Sequence, residues 1–140
     1  MTRREAREAV FSLLFETEFR SDEETAEIFA TSCEERELIP DDYIKNTYYG
    51  IQEHKGELDE KIAAHARGWK TERLTRVSRS ILRLAVYEML YCKEIPASVS
   101  LNEAIELIKK YGEDKARPFV NGVLNAISED EAVLAVRGDA

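Results

Sequence analysis

The chain has 140 residues, 44% of them apolar and 34% charged, and a formal net charge of -8. That length supports one domain, or two closely packed halves, with a core that needs no metal or disulfide; no apolar run is long enough to span a bilayer, and Cys33 and Cys92 are too few to form a framework of bridges. With no secretory leader, the expectation is a cytoplasmic protein with reduced thiols, and the acidic balance excludes broad nonspecific binding of nucleic acid, leaving only local basic docking points.

Strand-favouring runs of Val, Ile and Thr are scarce, so the elements read as amphipathic helices. The first is predicted over 2–19, with Ala6, Val10, Leu13, Leu14 and Thr17 on one buried stripe. Arg3, Arg7, Phe11 and Phe15 form a second row at four-residue spacing, so a basic patch continues into an aromatic ridge, and two apolar faces make this helix the expected centre of the bundle. Ser21 or Asp22 is the expected cap of a second helix carrying Ile28, Phe29 and Ser32 inward, and Pro40 ends the linker after it. A third helix runs from Asp41 with Ile44, Thr47, Tyr48 and Ile51 inward; Gly56 breaks the pattern, and Leu58, Ile62, His65, Ala66 and Trp69 make a fourth stripe.

The longest helix is predicted to start within 71–75 and end at Cys92, burying Leu74, Val77, Ile81, Leu84, Ala85 and Met89. Arg73, Arg76, Arg79 and Arg83 lie on an adjoining face, where pairing with acidic neighbours across the bundle is the favoured reading over a binding stripe. After Pro96, Ser100 and Glu103 have the spacing of a capping box for a sixth helix, and Gly112 is expected as its left-handed stop. A seventh helix carries Val120, Val123, Leu124 and Ile127, and the chain from about Ser128 is expected to fray.

No catalytic or metal centre emerges. His54 and His65 lack metal-type partners three or four residues away, the cysteines are unpaired by motif, and single glycines build no phosphate loop. No cofactor, metal or catalytic residue is therefore assigned, and the chain is read as a non-enzyme. What remains is binding. Arg3, Arg4 and Arg7 share one side of the first helix, where each guanidinium can fork to a phosphate or stack on a splayed base. A solvated helix start is the plainer reading on composition. Yet cations at a helix amino end oppose the macrodipole, which favours a bound anion.

The run Arg73-Leu74 to Val77, then Arg79-Ser80-Ile81-Leu82-Arg83-Leu84-Ala85-Val86-Tyr87-Glu88, followed by Ile95-Pro96, Asn102-Glu103-Ala104-Ile105-Glu106-Leu107 and Phe119-Val120-Asn121-Gly122-Val123-Leu124, closely resembles the NusB family of transcription antitermination factors. The resemblance implies an all-α fold, a compact bundle of about seven helices in two packed helical subdomains, 1–70 and 71–128, with 129–140 as a tail. It implies pairing with NusE, a small-subunit ribosomal protein, and binding of the pair to boxA-type single-stranded RNA, so that the transcription elongation complex resists termination during ribosomal RNA synthesis. RNA contacts carry over to Arg3, Arg4 and Arg7 and, around the last interhelical loop, to Lys115, Arg117 and Phe119. Partner contacts carry over to Glu72, Ser78 and Leu82.

Four positions depart from the family pattern: Ser78 stands where a carboxylate is usual, Lys115 where some relatives are acidic, Arg117-Pro118 replaces a more basic pair, and Glu5 interrupts the basic start. Phe119 also has a core reading, as a phenylalanine opening an apolar helix, and Asn121-Gly122 reads as permitting close helix packing. Two other functions stay open at this point. One is a helical protein-interaction scaffold without RNA binding, which the acidic charge supports; the other is an RNA-binding module related to the amino-terminal domain of RNA cytosine methyltransferases, against which the chain's length counts. Exposed apolar faces on the first or the long helix also leave a homodimer open.

Overall fold

The computed structural model describes residues 1–20, 22–66, 74–130 and 133–135, and these form seven α-helices and a 3-10 turn, with no strand among the described residues. The first helix, α1 (Arg3–Phe19), is started by a capping box. The Thr2 hydroxyl accepts the Glu5 N–H at 3.1 Å and the Glu5 carboxylate accepts the Thr2 N–H at 2.9 Å, satisfying two donors that a helix start otherwise leaves open. Glu5, which interrupts the basic start of the chain, thus also serves to start the helix. The second helix, α2 (Thr25–Glu35), follows Glu24 rather than Asp22, so the expected cap is corrected there; Ser21 lies outside the described residues.

Asp41 caps α3 (Asp42–Glu53) by accepting the Ile44 N–H at 2.8 Å. His54 both ends α3 and precedes α4 (Lys55–Ala64), so the break falls there, and Gly56 sits inside the first turn of α4. Thr75 caps α5 (Arg76–Tyr91) through the Ser78 N–H. Pro96 precedes α6 (Ala97–Tyr111), which places Ser100 and Glu103 inside the helix; the expected capping box is not formed, and both side chains reach other helices instead. Gly112 ends α6 in extended rather than left-handed backbone (φ -99, ψ -171), and glycine suits the site because a Cβ would lie 3.1 Å from the Ile108 carbonyl oxygen. The 3-10 turn Asp114–Ala116 leads into α7 (Arg117–Ser128), with Pro118 tolerated in its first turn. Beyond Ser128 the described residues do not fray: 133–135 are helical and Val133 is fully buried. Trp69, expected on the inner stripe of the fourth helix, lies outside the described residues.

One hydrophobic core runs through both groups of helices, and α5, not α1, is its centre. From Ser80 to Leu90 every residue of α5 except Tyr87 is buried, as in a helix covered on all sides. All-round burial forces α5 to take two charges into the core. Arg83 meets Asp59 of α4 in two bonds of 2.8 Å and also Glu18 of α1. Glu88, with 0% exposure, accepts from Arg7 Nε of α1 at 2.7 Å, from Ser100 Oγ of α6 at 2.7 Å, and from the Tyr43 hydroxyl of α3. Pairing Arg7 with Glu88 and Glu18 with Arg83 lays α1 antiparallel to α5 and fixes it near both ends.

A buried carboxylate with three donors is costly to disrupt on one side, because removing a partner strands a charge in a low-dielectric site. Arg7→Leu is therefore expected to lower unfolding free energy by about 3–5 kcal/mol. Urea unfolding of Arg7→Leu and of Arg3→Leu checks this: similar small losses in both variants would show that the junction is not a main tie.

Candidate nucleic-acid interface

The row Arg3, Arg7, Phe11 and Phe15 divides at Arg7. Arg7 is only 5% exposed and turned into the core; burial opposes its charge, and the hydrogen bond and charge of Glu88 more than offset that, so it is held protonated above its ordinary value. The expectation that Arg7 offers its guanidinium to a ligand is corrected by this placement. Its neighbours straddle it. At roughly 100° per residue, Arg3 and Arg4 leave the helix on either side of the Arg7 direction. Arg3 lies over the ring of Tyr43, 4.1 Å from its centroid. Arg4 goes the other way to α6, giving Nε and Nη2 to Glu103 at 3.0 to 3.2 Å, while its side chain stays 68% exposed.

The loop between α6 and α7 places Lys115 in solvent beside Glu113, at 3.2 Å, and Arg117 beside Asp114, at 3.4 Å. Phe119 is buried in the core, so the core reading of this residue is the one the structure gives. Asn121 and Gly122 are exposed, and a Cβ on Gly122 would meet nothing within 4 Å; the expected close helix contact is absent at that position.

At the other end of α1 the aromatic ridge lines a groove. Phe11, Phe15 and Phe19 follow one another, with Tyr111 4.9 Å from Phe11 and Val77 also lining the groove. Phe19 is 58% exposed and carries the Arg76 guanidinium 4.4 Å above its ring. Of the residues expected at a partner contact, Ser78 and Leu82 are buried, and Glu72 lies outside the described residues. The exposed side chains at the start of α5 are Thr75 and Arg76, with Val77 and Arg79 partly so. Within the arginine stripe, Arg83 is committed to Glu18 and Asp59, Arg79 lies 3.8 Å from Glu18, and Arg73 is outside the described residues.

The histidines are tied to neighbours as well. His65 Nδ1 lies 2.9 Å from the Lys61 carbonyl oxygen and Nε2 lies 3.0 Å from Asp130. His54 stacks on Tyr91, whose hydroxyl donates to Glu57; burial and that bond push the phenol up to about 12. No described helix is long and apolar enough to cross a membrane.

A NusB family model matches residues 4–129 of this chain. The chain belongs to the NusB family. The transcription antitermination protein NusB of Bacillus velezensis is 46% identical over 133 residues, covering 93% of this chain and 98% of that protein. The solved structure of T. maritima NusB superposes with a TM-score of 0.82 at 38% identity, covering 94% of each chain. A chain from a crystal structure of antitermination factors NusB and NusE in complex with double-stranded RNA gives a TM-score of 0.79 at 33% identity, over 91% of this chain and 96% of that one. The NusB fold thus holds in this chain, with an inward Arg7 between two outward arginines.

The surface between α1 and α6 also carries Glu8, which accepts from Lys110 Nζ at 2.6 Å and from the Tyr111 hydroxyl. Those two hydrogen bonds hold its carboxyl below the usual glutamate value. A carboxyl lowered in the folded state contributes stability above its unfolded pKa and loses it as pH falls through the lowered value. Glu8→Gln is accordingly expected to destabilise the chain at neutral pH, with the gap closing on acidification. Thermal unfolding across that range checks this, and a gap independent of pH would assign the effect to packing.

Proposed function

We propose that this NusB-family chain is a cytoplasmic transcription antitermination factor that binds RNA, pairs with NusE, and acts on the elongation complex through boxA-type single-stranded RNA in ribosomal transcripts. The observation that carries the reading is the likeness, over nearly the whole chain, to a structure of NusB and NusE in complex with RNA. Arg3 and Arg4 support it, since both project from the start of α1 with exposed side chains while Arg7 anchors the helix between them. Lys115 in the 3-10 turn and Arg117 at the start of α7 are further exposed cations available to RNA.

The partner sits, in this proposal, on the groove of Phe15, Phe19 and Val77 under Arg76, because exposed aromatics beside an arginine have the composition of an interface core. Glu72, outside the described residues, stays a proposed contact, whereas the buried Ser78 and Leu82 support the surface from beneath. A second copy of the chain on this groove would be the competing occupant, and sedimentation with and without NusE separates the two.

Fluorescence titration of a boxA-type RNA tests the reading. Binding is expected to tighten when NusE is added and to weaken as salt rises. Arg3→Gln and Arg4→Gln are each expected to weaken it about tenfold and to reduce the salt slope by about one. Phe19→Asp is expected to abolish the NusE enhancement while sparing binding by the chain alone. Equal affinity for a scrambled RNA, with no effect of NusE, would overturn the proposal in favour of a protein-only scaffold; preference for a duplex of the same sequence would overturn its single-stranded form.

A further inference from the structure

The groove between α1 and α6 is lined by basic and acidic side chains, among them Arg4, Glu103, Glu106, Lys109 and Lys110. Glu103 is the most committed of the acids. Its side chain is 16% exposed, against 68% for Arg4, so the carboxylate is the fixed member of the pair and the guanidinium the free one. It holds the Nε and Nη2 edge of Arg4 at 3.0 to 3.2 Å. A guanidinium has five N–H donors, and two nitrogens facing Glu103 leave the outer edge available. A phosphate can therefore reach Arg4 without displacing Glu103. It then lies across one guanidinium from a second negative charge, with Glu106 close by in the groove.

We infer that Glu103 is an electrostatic brake on RNA binding: its charge offsets that of Arg4 in the free chain and keeps affinity for RNA phosphates low at this edge of the interface. The inference rests on the RNA-binding reading above and adds a residue that opposes binding. It follows from geometry of a general kind, since a carboxylate on the far side of a cation subtracts from the attraction that cation offers an anion. It also gives the acidic chain a way to hold one of its exposed arginines in place without making that arginine a strong nonspecific phosphate site. Neighbouring cations are arranged alike: Lys110 faces Glu8, Lys115 faces Glu113 and Arg117 faces Asp114.

Glu103→Gln isolates the charge, because the amide keeps an acceptor oxygen for Arg4 while the negative charge is removed. Titration with a short single-stranded RNA of random sequence and with a boxA-type RNA, at low and at moderate salt, provides the readout, and circular dichroism confirms that the fold is kept. At low salt Glu103→Gln is expected to bind both RNAs about three- to tenfold more tightly than the natural chain, with the gain shrinking as salt screens the lost charge. The gain should vanish in an Arg4→Gln background. Unchanged or weaker binding by Glu103→Gln, with Arg3→Gln still impaired, would overturn the brake while leaving the RNA reading standing, and weaker binding would make Glu103 a positioning residue for Arg4. Absence of RNA binding by the natural chain and by Glu103→Gln alike, at low salt and with NusE present, would overturn both.

Discussion

The junction at Glu88 is the constraint from which the rest of the arrangement follows. A carboxylate with no exposed surface stands in the last turn of the buried helix α5, and donors from three other helices converge on it: Arg7, Tyr43 and Ser100. Burial alone makes such a group expensive, and only near-complete pairing makes it tolerable. Pairing of that kind demands geometry. It fixes the rotation of α1 about its own axis, because Arg7 must point at α5. Arg3 and Arg4, one turn earlier, are then obliged to leave on either side of that direction. The outward basic edge of α1 is a consequence of an inward arginine.

The same logic acts at the other end of the helix. Arg83 brings a buried positive charge to the carboxyl-terminal part of α1, where Glu18 meets it together with Asp59 of α4. One buried charge of each sign on α5 thus selects a complementary charge on α1, Glu88 taking Arg7 and Arg83 taking Glu18. A slipped or reversed α1 would strand both charges of α5. Apolar packing supplies the bulk of the burial, and the two ion pairs specify which of many apolar arrangements is adopted. Tyr43 shows how local this specification is: it donates to Glu88 through its hydroxyl and carries Arg3 on its ring, so one side chain serves the core junction and the candidate surface.

Much of this was legible in the sequence, and the rest failed for identifiable reasons. Seven helices follow from the 3.6-residue stripes, and the preference for structural pairing along the arginine row holds at Arg83. Arg7 reads as surface from the sequence, because it stands in a row with Arg3 and shares its charge. The opposing signal was present, since Val10, Phe11 and Leu14 place Arg7 on the buried side of the helix and Glu88 interrupts an apolar run. Neither charge alone identifies its partner 81 residues away, because pairing is a property of the tertiary arrangement. Thr2-x-x-Glu5 has the capping-box spacing in the sequence and forms the box, although the charge of Glu5 among arginines is its more conspicuous feature. Ser100 and Glu103 display the same spacing without forming one, because Pro96 starts α6 earlier and both side chains are drawn to α5 and α1. Burial of Val133 was not legible, since the short run Val133, Leu134 and Val136 beside the acids Glu129, Asp130 and Glu131 is too brief to define a helical stripe.

The proposed RNA edge and partner groove lie at opposite ends of α1. A helix of 17 residues is about 25 Å long, so a partner on Phe19 and an RNA phosphate on Arg4 do not compete for the same surface. How one could strengthen the other is then a question of mechanics. With α1 tied to α5 near both ends by buried charge pairs, a shift of the helix along or about its axis would have to break at least one of them, at a cost of several kcal/mol. Transmission through movement of α1 is thereby disfavoured. The economical route is a single RNA strand that leaves the arginine edge and runs onto the partner itself, so that two weak sites on a fixed scaffold act at high effective concentration. On that account the rigidity imposed at Glu88 is what allows a net-acidic chain to contribute to recognition: it holds Arg3 and Arg4 in a constant relation to whatever occupies the groove.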